Sequence, residues 1–409
     1  MMDNHGENIQ PTNEENRLHH IDQLRGFALF GIFLVNMILF QYGMFGSEVG
    51  LIPIPFGKVD QATHWMIQVF FENNFYPIFS FLFGFGAILL MNRSKEIDGH
   101  FRLLYMRRMT VLFFIGVSHL FFIWDGDILL TYAITGFLFF LFLKCRPFVI
   151  LLWVVVIAVF LNGAAVFSQE APPGGESIDF SPYAKQEQSV LSEGSYSDVL
   201  NHRLKGDPLK ETEMNDAYSL LVFVTVILKT LMLFLLGAFF AKKGWLHTVS
   251  KYKTLWKALM IYTGFFGLIM KLLIVSDTVS IFDSVSDSLA GPLLGLSYIS
   301  LFVLNGHRLS HTKMKKSLER VGRMALTNYL IQSALMTTVF YGYGLGWFAQ
   351  LGVIGGATLV VVVFSLQMTY SYWWLERFSH GPVEWLWRKG AYVTQPSIKR
   401  ESDKDKKVF

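Results

Sequence analysis

Thirty residues, RRMTVLFFIGVSHLFFIWDGDILLTYAITG from Arg107 to Gly136, constrain this chain more than any other stretch. A spanning helix needs about 20 mainly apolar residues, because hydrocarbon cannot satisfy an open backbone. Two apolar runs joined by Trp124-Asp125-Gly126-Asp127 therefore read as a helical hairpin. Lys and Arg concentrate on the cytoplasmic side, so Arg107 and Arg108 put the open end inside and the WDGD corner outside. That threading places His119, Asp125 and Asp127 near one membrane face.

The rest of the chain repeats this pattern. Of its 409 residues, 52% are hydrophobic and only 16% charged, whereas a soluble domain carries about a quarter charged residues. The expected fold is an all-α, polytopic integral membrane protein. About ten spans are predicted, at 24–41, 64–91, 106–124, 127–143, 147–167, 217–240, 254–275, 287–305, 321–341 and 347–373. With both termini cytoplasmic, about 28 of the 35 basic residues fall inside. The net charge of +4 follows from that bias, and no nucleic-acid partner is implied. The bilayer is the expected partner, the cell membrane the expected location, and self-association into a homo-oligomer stays open. Cys145 is the single cysteine, which excludes an internal disulfide and a cysteine-based metal site, and no metal is expected.

Five segments follow: a disordered cytoplasmic N-terminus (1–20), a first five-helix half (21–167), a long outer loop (168–216), a second half (217–375), and an interfacial helix with a disordered tail (376–409). Residues 1–20 lack an apolar core and do not read as a cleavable signal peptide. The outer loop, opening on APPGG, reads as a solvated linker, with an acceptor-binding cap as the alternative.

Ionisable and amide groups inside spans are functional candidates. His64 opens the second span, Asn36 lies at a similar depth in the first, and Glu72 lies deeper. His119 falls one turn below the WDGD corner, where an imidazole and a carboxylate of Asp125 or Asp127 could do acid–base work. Asp127 also suits a helix cap. Lys229, mid-span, either pairs with an acid such as Glu72 or meets an anionic ligand. Lys271 is expected to snorkel outward. Arg25 reads as topogenic or ligand-binding. Asn328 and Gln332 either join helices or bind substrate.

Several motifs resemble a known family. IDQLRGFALFGIFLVN, FYPIFSFLFGFG, GVSHLFFIWDGDILLTYAITG, GRMALTNYLIQS and GPVEWLWR are similar to those of the bacterial YeiB family (domain of unknown function 418). That likeness implies architecture rather than a reaction. More distantly, the first two spans resemble the heparan-α-glucosaminide N-acetyltransferase type of transmembrane acyltransferase. The matching positions are Arg25-Gly26, Val35-Asn36, His64, Pro77 and Gly84. This second resemblance implies acetyl transfer from cytosolic acetyl-CoA, or another acyl-CoA, to a small-molecule or glycan acceptor across the membrane. Asn36 and His64 would be the catalytic pair, and Arg25, Arg107 and Arg108 would suit CoA phosphates. A transporter for a small, perhaps acidic, solute is the competing reading, with Lys229 and Glu72 on its path. An assembly or stress-related membrane protein without catalysis is the third.

Overall fold

The computed structural model describes residues 18–46, 57–97, 101–169, 180–206, 216–246, 248–276, 283–305 and 312–392. The expected disordered tail and nearly all of the N-terminal segment lie outside these residues. The described chain is helical throughout. Its helices are α1 (His19–Tyr42), α2 (Lys58–Phe70), α3 (Phe75–Ile97), α4 (Phe101–Phe122), α5 (Leu129–Phe139), α6 (Pro147–Gln169), α7 (Ser181–Glu193) and α8 (Tyr196–Lys205). They continue as α9 (Asp216–Lys243), α10 (Lys253–Val275), α11 (Asp283–Asn305), α12 (Lys313–Arg323), α13 (Ala325–Phe340), α14 (Gly352–Arg377) and α15 (Pro382–Ala391).

Seven of the described helical segments are long and apolar enough to cross a membrane, counting α2 and α3 together. The chain is therefore a multi-pass membrane protein. Apolar residues also cover its outside: Ile261, Tyr262, Phe265 and Phe266 of α10 are each more than half exposed. A soluble protein would bury that surface, whereas lipid solvates it.

α1 is the central helix and packs on α3, α12, α13 and α14. α3 crosses α9 closely, because Gly84 lies against the Phe234 carbonyl and Gly237 against the Phe81 carbonyl. Small residues at such crossings let backbones approach, which replaces the missing hydrophobic drive between helices in lipid.

Three local findings depart from the sequence expectations. The second span is two helices. Residues 71–74 turn between α2 and α3, Asn73 sits at φ 57°, and Pro77 falls in the first turn of α3. Proline lacks the N–H of a continuing helix but is tolerated there. The apolar helix of the ninth span, expected from residue 321, starts only at Ala325, after a break at Met324 (φ −113°, ψ 30°) that separates it from the basic α12. Lys271 does not snorkel outward: it is only 3% exposed.

Within the segment 168–216, residues 180–206 form α7 and α8, folded over one end of the bundle as in the cap alternative rather than as a solvated linker. Tyr183, Ala184, Leu191 and Val199 are buried there. Glu187 accepts hydrogen bonds from the backbone N–H groups of Met44 and Phe45, both at 3.2 Å, just past the end of α1. Tyr196 donates to the Phe122 carbonyl at 2.9 Å. This is the cap end. At the opposite, basic end lie the start of α4, all of α12 and α15.

Candidate functional site

His119 sits in the last turn of α4, one turn before the chain reverses through the WDGD corner. The reversal brings Asp127 back to it. Nδ1 of His119 lies 2.7 Å from Oδ1 of Asp127, and the two side chains are 1% and 0% exposed. The other carboxylate oxygen accepts from the Leu130 N–H at 2.6 Å, so Asp127 caps α5 and holds the imidazole together. The carboxylate partner of His119 is thus Asp127 rather than Asp125.

The remaining imidazole nitrogen, Nε2, is buried with no hydrogen-bond partner among the described residues. A proton there would be an unsatisfied buried donor, so Nδ1 carries the proton toward the carboxylate and Nε2 presents its lone pair. Tyr329 of α13 packs its ring 5.1 Å from the imidazole and donates to the Gly126 carbonyl at 3.3 Å. Trp124 closes the other side, its ring 4.2 Å from Phe40 of α1. Sequence reasoning missed Tyr329, because an aromatic in an apolar helix gives no local signal of what it faces.

Asn36 and His64 are both half-buried. No hydrogen bond joins them among the described residues; α2 packs mainly on α10 and α14 and meets α1 through Ile67, which clusters with Ile38 and Tyr42. Asn36 instead lies one turn from both Phe33 and Phe40, which share an apolar cluster with Trp124. By helical spacing it lies on or beside the face of α1 that carries those two residues.

Glu72 lies in the turn between α2 and α3. Lys229 makes no ion pair among the described residues. It lines a cleft of about 180 Å³ with Asn73, Tyr76 and Pro292, between α3, α9 and α11. Asn328 and Gln332 are buried and joined to other helices. Asn328 donates to Ser371 at 3.0 Å, Gln332 to Gln367 at 2.8 Å, and Gln367 back to the Asn328 carbonyl at 3.0 Å. Beside them Glu384 of α15 accepts from the Thr327 N–H at 3.0 Å and from its hydroxyl at 2.5 Å. Burial pushes the Glu384 carboxyl above its ordinary range, with the Thr327 hydrogen bonds opposing.

At the basic end Arg25 pairs with Asp22 at 2.8 Å. Arg108 lies 4.1 Å over the Trp387 ring, whose indole N–H donates to the Arg108 carbonyl at 2.8 Å. Arg107 is half-buried one residue before it. Among the described residues no group of three or more His, Cys, Asp and Glu side chains is arranged to hold a metal.

Fold and site together define a multi-pass helical membrane protein with a buried Asp–His pair beneath a helical cap. Residues 240–394 match the model of the family described as protein of unknown function (DUF418). The chain is 33% identical over 407 residues to the uncharacterized protein YxaH of Bacillus subtilis (strain 168), covering 96% of this chain and 98% of that one. It is 26% identical over 399 residues to the uncharacterized protein YeiB of Escherichia coli (strain K12), covering 90% and 94%. The chain belongs to the DUF418 family, as its motifs indicate.

Proposed function

We propose that this protein is a transmembrane acyltransferase of the cell membrane, moving an acyl group from cytosolic acyl-CoA to an acceptor at the cap end. One observation carries the reading: the buried His119–Asp127 pair, with Nε2 left to act as a base. Asp127 fixes the tautomer and orientation of the ring, as a carboxylate does for a catalytic histidine elsewhere. Nε2 then takes the proton of an acceptor hydroxyl or amine as that group attacks the thioester carbonyl, and returns it to the leaving thiolate. The Asn36 amide, on or beside the helix face that carries Phe33 and Phe40, supplies a donor for the oxyanion.

Arg107 and Arg108 at the basic end suit the phosphates of acyl-CoA, which supplies the activated acyl group. Twelve residues of α4 separate Arg107 from His119, about 18 Å along one helix. A single α-helix thus connects the two ends of the transfer. In this reading the chain crosses ten times. Tags at both termini and within 308–320 should be cytoplasmic, and a tag near residue 185 external; external labelling of Lys313 would overturn the threading.

The Lys229 cleft supports a second reading, a transporter for a small acidic solute. Purified protein with radiolabelled acetyl-CoA separates the two. An acyltransferase binds the donor and releases free CoA, whereas a transporter does neither and instead moves solute across vesicles.

A further inference from the structure

Arg203 lies on α8, in the cap. Its Nε and both terminal guanidinium nitrogens are shut off from solvent, with no hydrogen-bond partner among the described residues. The guanidinium lies 5.9 Å from the centre of the Tyr341 ring. Asp125 Oδ1 and Trp124 Nε1, in the WDGD corner, are buried and unpartnered in the same way.

These groups converge on Tyr341. Asp125 and Arg203 both lie close enough to Tyr341 to act electrostatically on its phenol, with opposite signs. Trp124 and Tyr341 share one apolar cluster with Leu191 and Val199 of the cap. Glu187 also faces this region, but its oxygens serve the N–H groups of Met44 and Phe45.

A buried guanidinium without an anion is among the costliest arrangements a fold can hold. Its planar fork matches a carboxylate or a phosphate. The corner beside it offers one indole donor and one carboxylate acceptor, so an anion alone would leave Asp125 unserved. We infer that the junction between cap and corner binds a small oxyanion, carboxylate or phosphate, that also carries a hydroxyl. The oxyanion meets Arg203 and Trp124, and the hydroxyl donates to Asp125. The inference concerns binding alone and does not require acyl transfer.

Full-length protein in detergent, without acetyl-CoA, tests it. The probes are glycerol 3-phosphate and D-glucuronate, with inorganic phosphate, glycerol and glucose for comparison at constant ionic strength. Saturable binding of glycerol 3-phosphate, of glucuronate or of both is expected, and which one binds identifies the oxyanion. Glycerol and glucose should not bind. Arg203→Gln should weaken binding at least tenfold and Arg203→Lys by less. Asp125→Asn should weaken the hydroxylated probe several-fold while leaving inorganic phosphate unchanged. Should Arg203→Gln fail to fold, Arg203→Lys together with Asp125→Asn carries the test. Failure of both probes to bind, equal affinity in the Arg203 variants, or equal binding of the uncharged polyols would overturn the inference.

Discussion

Two buried polar regions of this molecule differ in one respect. Between α12, α13, α14 and α15, the groups Thr327, Asn328, Gln332, Gln367, Ser371 and Glu384 bond to one another. In that network only Asn328 Oδ1 lacks a partner, whereas at the cap end His119 Nε2, Asp125 Oδ1, Trp124 Nε1 and all three Arg203 guanidinium nitrogens are buried with none among the described residues. Native folds pair nearly all buried polar groups, so a cluster of exceptions asks for an explanation. The closed network holds helices together. Under the two proposals above, the open one receives a ligand.

The comparison can be broken from either side. The largest effect should come from Asp127→Asn, which leaves α5 intact but can no longer fix the Nδ1–H tautomer. Transfer should fall by about 10²–10⁴ with the KM for acyl-CoA little changed. An unaltered rate would return Asp127 to a cap alone.

In the closed network, Glu384→Gln should instead cost stability, about 1–3 kcal/mol, and leave the rate per folded molecule intact. It should also change the pH dependence. A carboxyl raised in the folded state contributes stability fully present below its unfolded value and lost as pH rises through the folded one. Thermal denaturation of the unaltered protein should therefore show a decline in stability with pH, beginning near the ordinary glutamate value of 4.5. The Gln variant should lack that component.

The smallest effect belongs to Ser195→Ala. Ser195 and Asp198 form a reciprocal cap at the start of α8, and its loss should cost about 1 kcal/mol. Because α8 carries Arg203, hydrogen exchange should rise in the cap and not in the closed network.

Much of this architecture was legible in the sequence, and the exceptions share a cause. Hydropathy placed the apolar helices, and the WDGD corner announced the hairpin that carries His119. Family motifs brought Gly26 and Gly322 to notice without showing that each faces the other's helix: Gly26 meets the Leu318 carbonyl and Gly322 the Asp22 carbonyl. The break at 71–74 was hidden because the residues on both sides remain apolar or helix-forming. The outer segment admitted a cap as its alternative reading, but its docking was hidden because α7 and α8 are polar outside and bury only a few residues each. Likewise, one carboxylate of Asp127 serving both a helix start and an imidazole is a matter of tertiary approach, which no local pattern encodes. Asp60 went unnoticed for the same reason, yet it is buried and accepts from the Ile354 N–H at 2.9 Å at the start of α14.

If the protein transfers acyl groups as proposed, its base is His119 and not His64. Acyl transfer from radiolabelled acetyl-CoA, measured on folded, vesicle-reconstituted protein, tests it most directly. His119→Gln should reduce transfer by about 10²–10⁴, while His64→Ala should leave it within a few-fold of the unaltered protein. Loss of transfer in His64→Ala with His119→Gln active would contradict the account and return the chemistry to the Asn36–His64 pair.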